Sequence, residues 1–104
     1  MLTVRICHQQ ELCLLVTGHA GAGKRGRDLV CAAASILTYT AAATAQKLYE
    51  KGELPTAPYI RLAPGSAQLR VSTTRAGCDL FEMIGTGFDL LAAQYPKNVR
   101  LIRQ

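Results

Sequence analysis

The sequence predicts an α+β fold, an α/β sandwich in which one mostly antiparallel sheet carries two helices in the order β-β-α-β-β-α-β. Three observations predict it. Two short apolar runs near the N-terminus are separated by only two residues, and two more flank a Pro-Gly dipeptide, so each pair reads as a hairpin. A long segment of helical character follows each hairpin. At 104 residues, 49% hydrophobic and 18% charged, the chain is a single globular domain over 1–104 with enough length for one core.

Thr3 to His8 alternates as a strand, and Glu11 to Thr17 is a stronger apolar strand; Gln9 and Gln10 leave room only for a tight antiparallel connection. A glycine-rich segment, Gly18 to Gly26, comes next. Asp28 stands before a run, Leu29 to Gln46, in which no residue is charged. The run is rich in alanine, a strong helix former, and the helix ends at Gly52. A membrane span is the alternative for such a run, but Ser35, Thr38, Tyr39, Thr40, Thr44 and Gln46 interrupt it. It reads as a helix buried within the protein or at a subunit interface, and no membrane association is expected. Pro55 and Pro58 make a connector. Tyr59 to Leu62 and Gln68 to Thr73 form the second hairpin about Pro64-Gly65. The second helix runs from about Ala76 to Tyr95, with Leu80, Ile84, Phe88, Leu91 and Tyr95 in one stripe. Gly85 and Gly87 within it cost roughly 1 kcal/mol each against alanine, so they signal close helix packing or a break. Pro96 stops the helix, and Val99 to Ile102 is a final strand.

The N-terminal residues contain no apolar signal core, which places the chain in the cytoplasm with Cys7, Cys13, Cys31 and Cys78 as reduced thiols. No Cys-x-x-Cys or His-x-x-x-His pair is present, so no metal site is expected. The net charge of +5 permits contact with nucleic acid or an acidic partner, but no aromatic residues interleave with the basic ones as a base-stacking platform would need.

Three chemistries overlap between Gly18 and Ser35. Gly18 to Lys24 spells the start of a phosphate-binding P-loop, yet Arg25 occupies the hydroxyl position that holds magnesium, and no later strand ends in a Walker-B carboxylate. Gly21, Gly23 and Gly26 spell G-x-G-x-x-G, but about 20 residues on, where an acidic residue should end a second parallel strand, the chain is still in its alanine-rich helix. The third chemistry is that of a base and a nucleophile, His19 and Cys31. A cysteine in an apolar helix is ordinarily a small buried hydrophobe. Cys31, however, falls in the first helical turn, where the dipole and the free backbone N–H groups favour thiolate over thiol. A glycine-rich loop can fold His19 back against that same terminus. Ser35 shares the helix face of Cys31 and either joins the site or bonds back to its own helix. Asp28 either orients His19 or caps the helix.

G-H-A, a short glycine-rich loop and then D-L-V-C-A-A-x-S resemble the ribosomal-processing cysteine proteases of bacteria, the Prp family. The N-terminal hairpin, the alanine-rich helix and the later G-F-x-L-L-A-x-x-Y-P extend the likeness over nearly the whole chain. The resemblance implies a small homodimeric cysteine-type peptidase without a cofactor. It would remove the short N-terminal extension from large ribosomal subunit protein twenty-seven during ribosome biogenesis. It puts the catalytic histidine at His19 and the nucleophile at Cys31, with Asp28 and Ser35 on further motif positions. Its partner is the extension peptide of that large-subunit ribosomal protein, and direct nucleic-acid binding is not required. Gly21, Gly23 and Gly26 then become hinges of a mobile loop over the bound peptide. The family more often has valine where this chain has Ala34, and the basic Lys24-Arg25 is a further departure; neither touches the pair. Two rival readings are a non-enzymatic ribosome-associated binding module and a small thiol-transfer protein using Cys31.

Overall fold

The structure, a computed structural model, describes residues 1–21 and 28–104. Seven elements follow the expected order: β1 (Leu2–His8), β2 (Glu11–Gly18), α1 (Leu29–Glu50), β3 (Tyr59–Ala63), β4 (Ser66–Ser72), α2 (Arg75–Gln94) and β5 (Val99–Arg103). The strands form one sheet in the order β3-β4-β2-β1-β5. Every neighbouring pair is antiparallel except β1 and β5, which run parallel.

Register in this sheet follows from burial on one face. Val4 pairs with Val16, Ile6 with Leu14, Leu14 with Leu69 and Leu12 with Val71, so apolar rows run across three strands. Val4 and Val71 are fully buried, and Leu14 and Leu69 nearly so. The alternate positions, among them Arg5, Cys7 and Cys13, lie on the opposite, more open face. The second hairpin continues the sheet, but all five residues of β3 are exposed at its edge.

Both helices cover the apolar rows. α1 buries Val30, Ala34, Thr38, Ala41, Ala42 and Ala45, one narrow stripe of small side chains that lets α2 approach closely. The uncharged run is therefore buried on that stripe only. Leu29, Ile36 and Tyr39 are exposed, because alanine-rich sequence forms helix on every face while only one face meets the protein. By length and composition α1 would suffice to cross a membrane, but here its stripe belongs to the core. α2 buries Leu80, Phe81, Ile84, Phe88 and Leu91 and runs unbroken through Gly85 and Gly87. At Gly87 a Cβ would lie 2.7 Å from Leu37 Cδ2, so α1 packs closely against α2 at this point.

Candidate active site

The site lies where β2 ends and α1 begins. Asp28 is the N-cap of α1, and its Oδ1 accepts hydrogen bonds from the backbone N–H groups of Val30 and Cys31, each at 3.0 Å. Those bonds satisfy donors that would otherwise be orphaned at a helix start, and they fix Cys31 in the first turn. The capping role foreseen for Asp28 is thus present. Cys31 is half-buried, and its Sγ accepts from the N–H of Ala20 at 3.3 Å. A chain reversal after β2 has therefore returned residues 18–21 to the helix terminus.

The reversal depends on backbone geometry that glycine supplies. Gly18 sits at φ +92°, and its N–H donates to the Gly65 carbonyl at 3.0 Å. Gly65 (φ +73°) turns β3 into β4, and a Cβ there would lie 3.7 Å from His19 Nε2. The exposed imidazole of His19 accordingly rests over the second hairpin's turn. Gly21 is also left-handed, at φ +67°. Gly23 and Gly26, the other two expected hinges, and the Lys24-Arg25 pair lie outside the described residues.

His19, Cys31 and Ser35 all line one cavity of about 290 Å³, with Thr38 and Tyr39 from α1 and the turn Ala63–Ser66 forming the opposite wall. Most of the remaining lining is apolar, including Leu2, Val16 and Leu62. Ser35 is exposed there, whereas Thr38, one turn further on, is buried and bonds back to the Ala34 carbonyl at 2.7 Å. A half-buried thiol and an imidazole on the walls of one largely apolar cleft suit attack on a bound peptide.

Two contributors to this arrangement lay beyond sequence reasoning. Gly65 was legible as a turn residue but not as the floor under His19. Asn98, in the connection from α2 to β5, donates from Nδ2 to the Ala20 carbonyl at 2.9 Å. No local pattern links positions 78 residues apart. The only hint at Asn98 is its place just before a strand that must pair somewhere. Among the described residues no three His, Cys, Asp or Glu side chains are grouped as metal ligands would be. A second, more open cavity of about 370 Å³ lies at the far end of β1, lined by Cys7, His8, Cys78 and Glu82.

The model of the cysteine protease Prp family matches residues 1–100. The chain belongs to the Prp family of cysteine proteases. It is thus a cysteine-type peptidase of a family that acts in ribosomal protein processing. No curated protein matches the sequence. Solved structures share the Prp fold. The ribosomal processing protease Prp from S. aureus, in complex with a covalently linked product peptide, superposes with a TM-score of 0.80 at 22% identity over 100% of both chains. The same protein with a substrate peptide gives 0.76 at 21% identity, again over 100% of both chains. SMU.848 from Streptococcus mutans gives 0.65 at 24% identity, covering 100% of this chain and 96% of its own.

Proposed function

We propose that this Prp-family chain is the endopeptidase that removes the short N-terminal extension of large ribosomal subunit protein twenty-seven, with Cys31 as nucleophile and His19 as its base. The observation that carries the reading is the convergence of His19 and Cys31 on one cleft, with a backbone N–H directed at the Cys31 sulfur from 3.3 Å. His19 takes the thiol proton, and the sulfur attacks the scissile carbonyl to give a tetrahedral intermediate. Collapse breaks the C–N bond, His19 protonates the departing amine, and an acyl-enzyme remains. Water, deprotonated by His19, then releases the new carboxylate and restores the thiol. Asp28 acts as the cap that sets Cys31 in place. Ser35 faces the substrate from the same helix, and Gly21 supplies a pivot between the site and the loop.

The protein acts in the cytoplasm as a homodimer in this reading. Four free, half-buried cysteines are compatible with a reducing compartment. The exposed apolar side chains Leu29, Ile36 and Tyr39 of α1 and Met83 and Leu90 of α2 offer surface for a second copy.

The test is incubation with a peptide spanning the precursor's cleavage site. Cys31→Ala and His19→Ala should each lower kcat/KM by more than about 1,000-fold. Cleavage that survives Cys31→Ala would overturn the assignment of Cys31 as nucleophile, whereas a wild-type chain that binds the peptide without cutting it would favour a binding module.

A further inference from the structure

A peptidase of this kind needs hydrogen-bond donors aimed at the oxygen on which charge develops. The start of α1 is the obvious source, but three of its N–H groups are engaged elsewhere. The N–H groups of Val30 and Cys31 both donate to Asp28 Oδ1, and that of Ala32 donates to the Asp28 carbonyl at 3.0 Å. The donor that does point at the reacting sulfur is the N–H of Ala20.

Ala20 is held from both sides. It is 3% exposed, and its carbonyl receives the Asn98 amide at 2.9 Å. The flanking glycines, Gly18 at φ +92° and Gly21 at φ +67°, impose little rigidity of their own, since glycine adopts such angles as readily as their mirror images. Contacts must therefore set the orientation of the Ala20 peptide units. Gly18 is fixed by its bond to Gly65. Asn98 fixes Ala20, and is itself anchored by its N–H to the Tyr95 carbonyl (3.0 Å) and by its carbonyl, which accepts from Leu2 N–H (2.8 Å).

We propose that the Ala20 N–H is the oxyanion donor of this site and that Asn98 is the positioning residue that aims it. The inference rests on the peptidase reading above. As the Cys31 sulfur bonds to the carbonyl carbon, the C=O π pair moves onto oxygen, which comes to lie beside the sulfur. The Ala20 N–H then shifts its hydrogen bond from sulfur to that oxygen. When the C–N bond breaks, the π bond re-forms and the N–H returns to its first position, so the donor is not consumed.

The test separates reactions that build an oxyanion from one that does not. Peptide cleavage builds one; alkylation of Cys31 by iodoacetamide displaces iodide at a saturated carbon and builds none. Asn98→Ala and Asn98→Asp should lower kcat by about 10- to 100-fold with KM and the alkylation rate within about twofold of wild type. A chemically synthesised chain carrying lactic acid in place of residue 20 replaces the N–H by an ester oxygen without touching any side chain. Its kcat should fall by about 100- to 1,000-fold, while alkylation, which loses only the N–H bond to the resting sulfur, should fall by less than about tenfold. An ester variant that cleaves at the wild-type rate overturns the donor assignment. Alkylation that falls in step with kcat in the Asn98 variants overturns the positioning role, since the thiol itself would then be disturbed. A wild-type chain that cleaves nothing overturns the peptidase reading, and the donor with it.

Discussion

At the scale of single residues, Asp28 and Gly18 show what side-chain identity alone can convey. A carboxylate three residues before Cys31 has two natural uses, and no spacing rule chooses between capping the helix and orienting an imidazole. The two bonds from Val30 and Cys31 to its Oδ1 supply the capping use. Gly18 offered less: as one of several glycines in a loop it reads as punctuation. Its φ of +92° and the 2.5 Å that would separate an added Cβ from the Met1 carbonyl oxygen make it a position only glycine fills. The clash is with backbone and cannot be relieved by a side-chain rotation. Left-handed geometry alone costs a β-carbon about 1–2 kcal/mol. Gly18→Ala should therefore lose more than about 2 kcal/mol in urea unfolding, together with most of the peptidase activity through displacement of the neighbouring His19. An unchanged unfolding midpoint would show that the Met1 end gives way freely.

The elements themselves were largely legible. Alternation marked β1, and a run of apolar residues marked β2, each within a residue of its ends. The apolar stripe of α2 was equally plain, since Leu80, Ile84, Phe88 and Leu91 meet the core at helical spacing. Partnership was legible within each hairpin but not between elements distant in sequence. The parallel pairing of β5 with β1 is a long-range event, and the partial exposure of α1 is concealed by alanine, which gives no amphipathic contrast. Close approach between elements is written instead in glycines. At Gly77, in the first turn of α2, a Cβ would stand 2.5 Å from the Ser72 carbonyl oxygen and 3.2 Å from Val71 Cγ1. Alanine there would gain about 1 kcal/mol of helix propensity. Overpacking against rigid backbone costs about 1–3 kcal/mol, and at 2.5 Å the upper end applies. Gly77→Ala should accordingly destabilise by about 1–2 kcal/mol net, measured as a lowered Tm. A raised Tm would mean that α2 can slide outward without loss.

For the whole molecule, the proposed dimer is the property most open to measurement. Leu29 and Ile36 lie two turns apart on one face of α1, 75% and 62% exposed, and would be the side chains a second copy covers. Sedimentation should give twice the mass of the 11.2 kDa chain. Ile36→Lys should shift it to the monomer, because an ammonium group buried in an apolar contact is left unpaired. A monomeric wild-type chain at micromolar concentration would remove this part of the reading.

The bond from Asn98 to Ala20 also has a kinetic meaning. It spans 78 residues, and the segment that makes it leads directly into β5, which pairs with β1. Local structure such as α1 forms early in folding, whereas contacts of high sequence separation close late because more chain must be ordered to make them. A refolding chain can thus regain its helices, with its thiol in the first turn of α1, while still cutting far more slowly than the folded chain. Catalytic competence in this fold arrives last, as a signature that the chain has closed on itself.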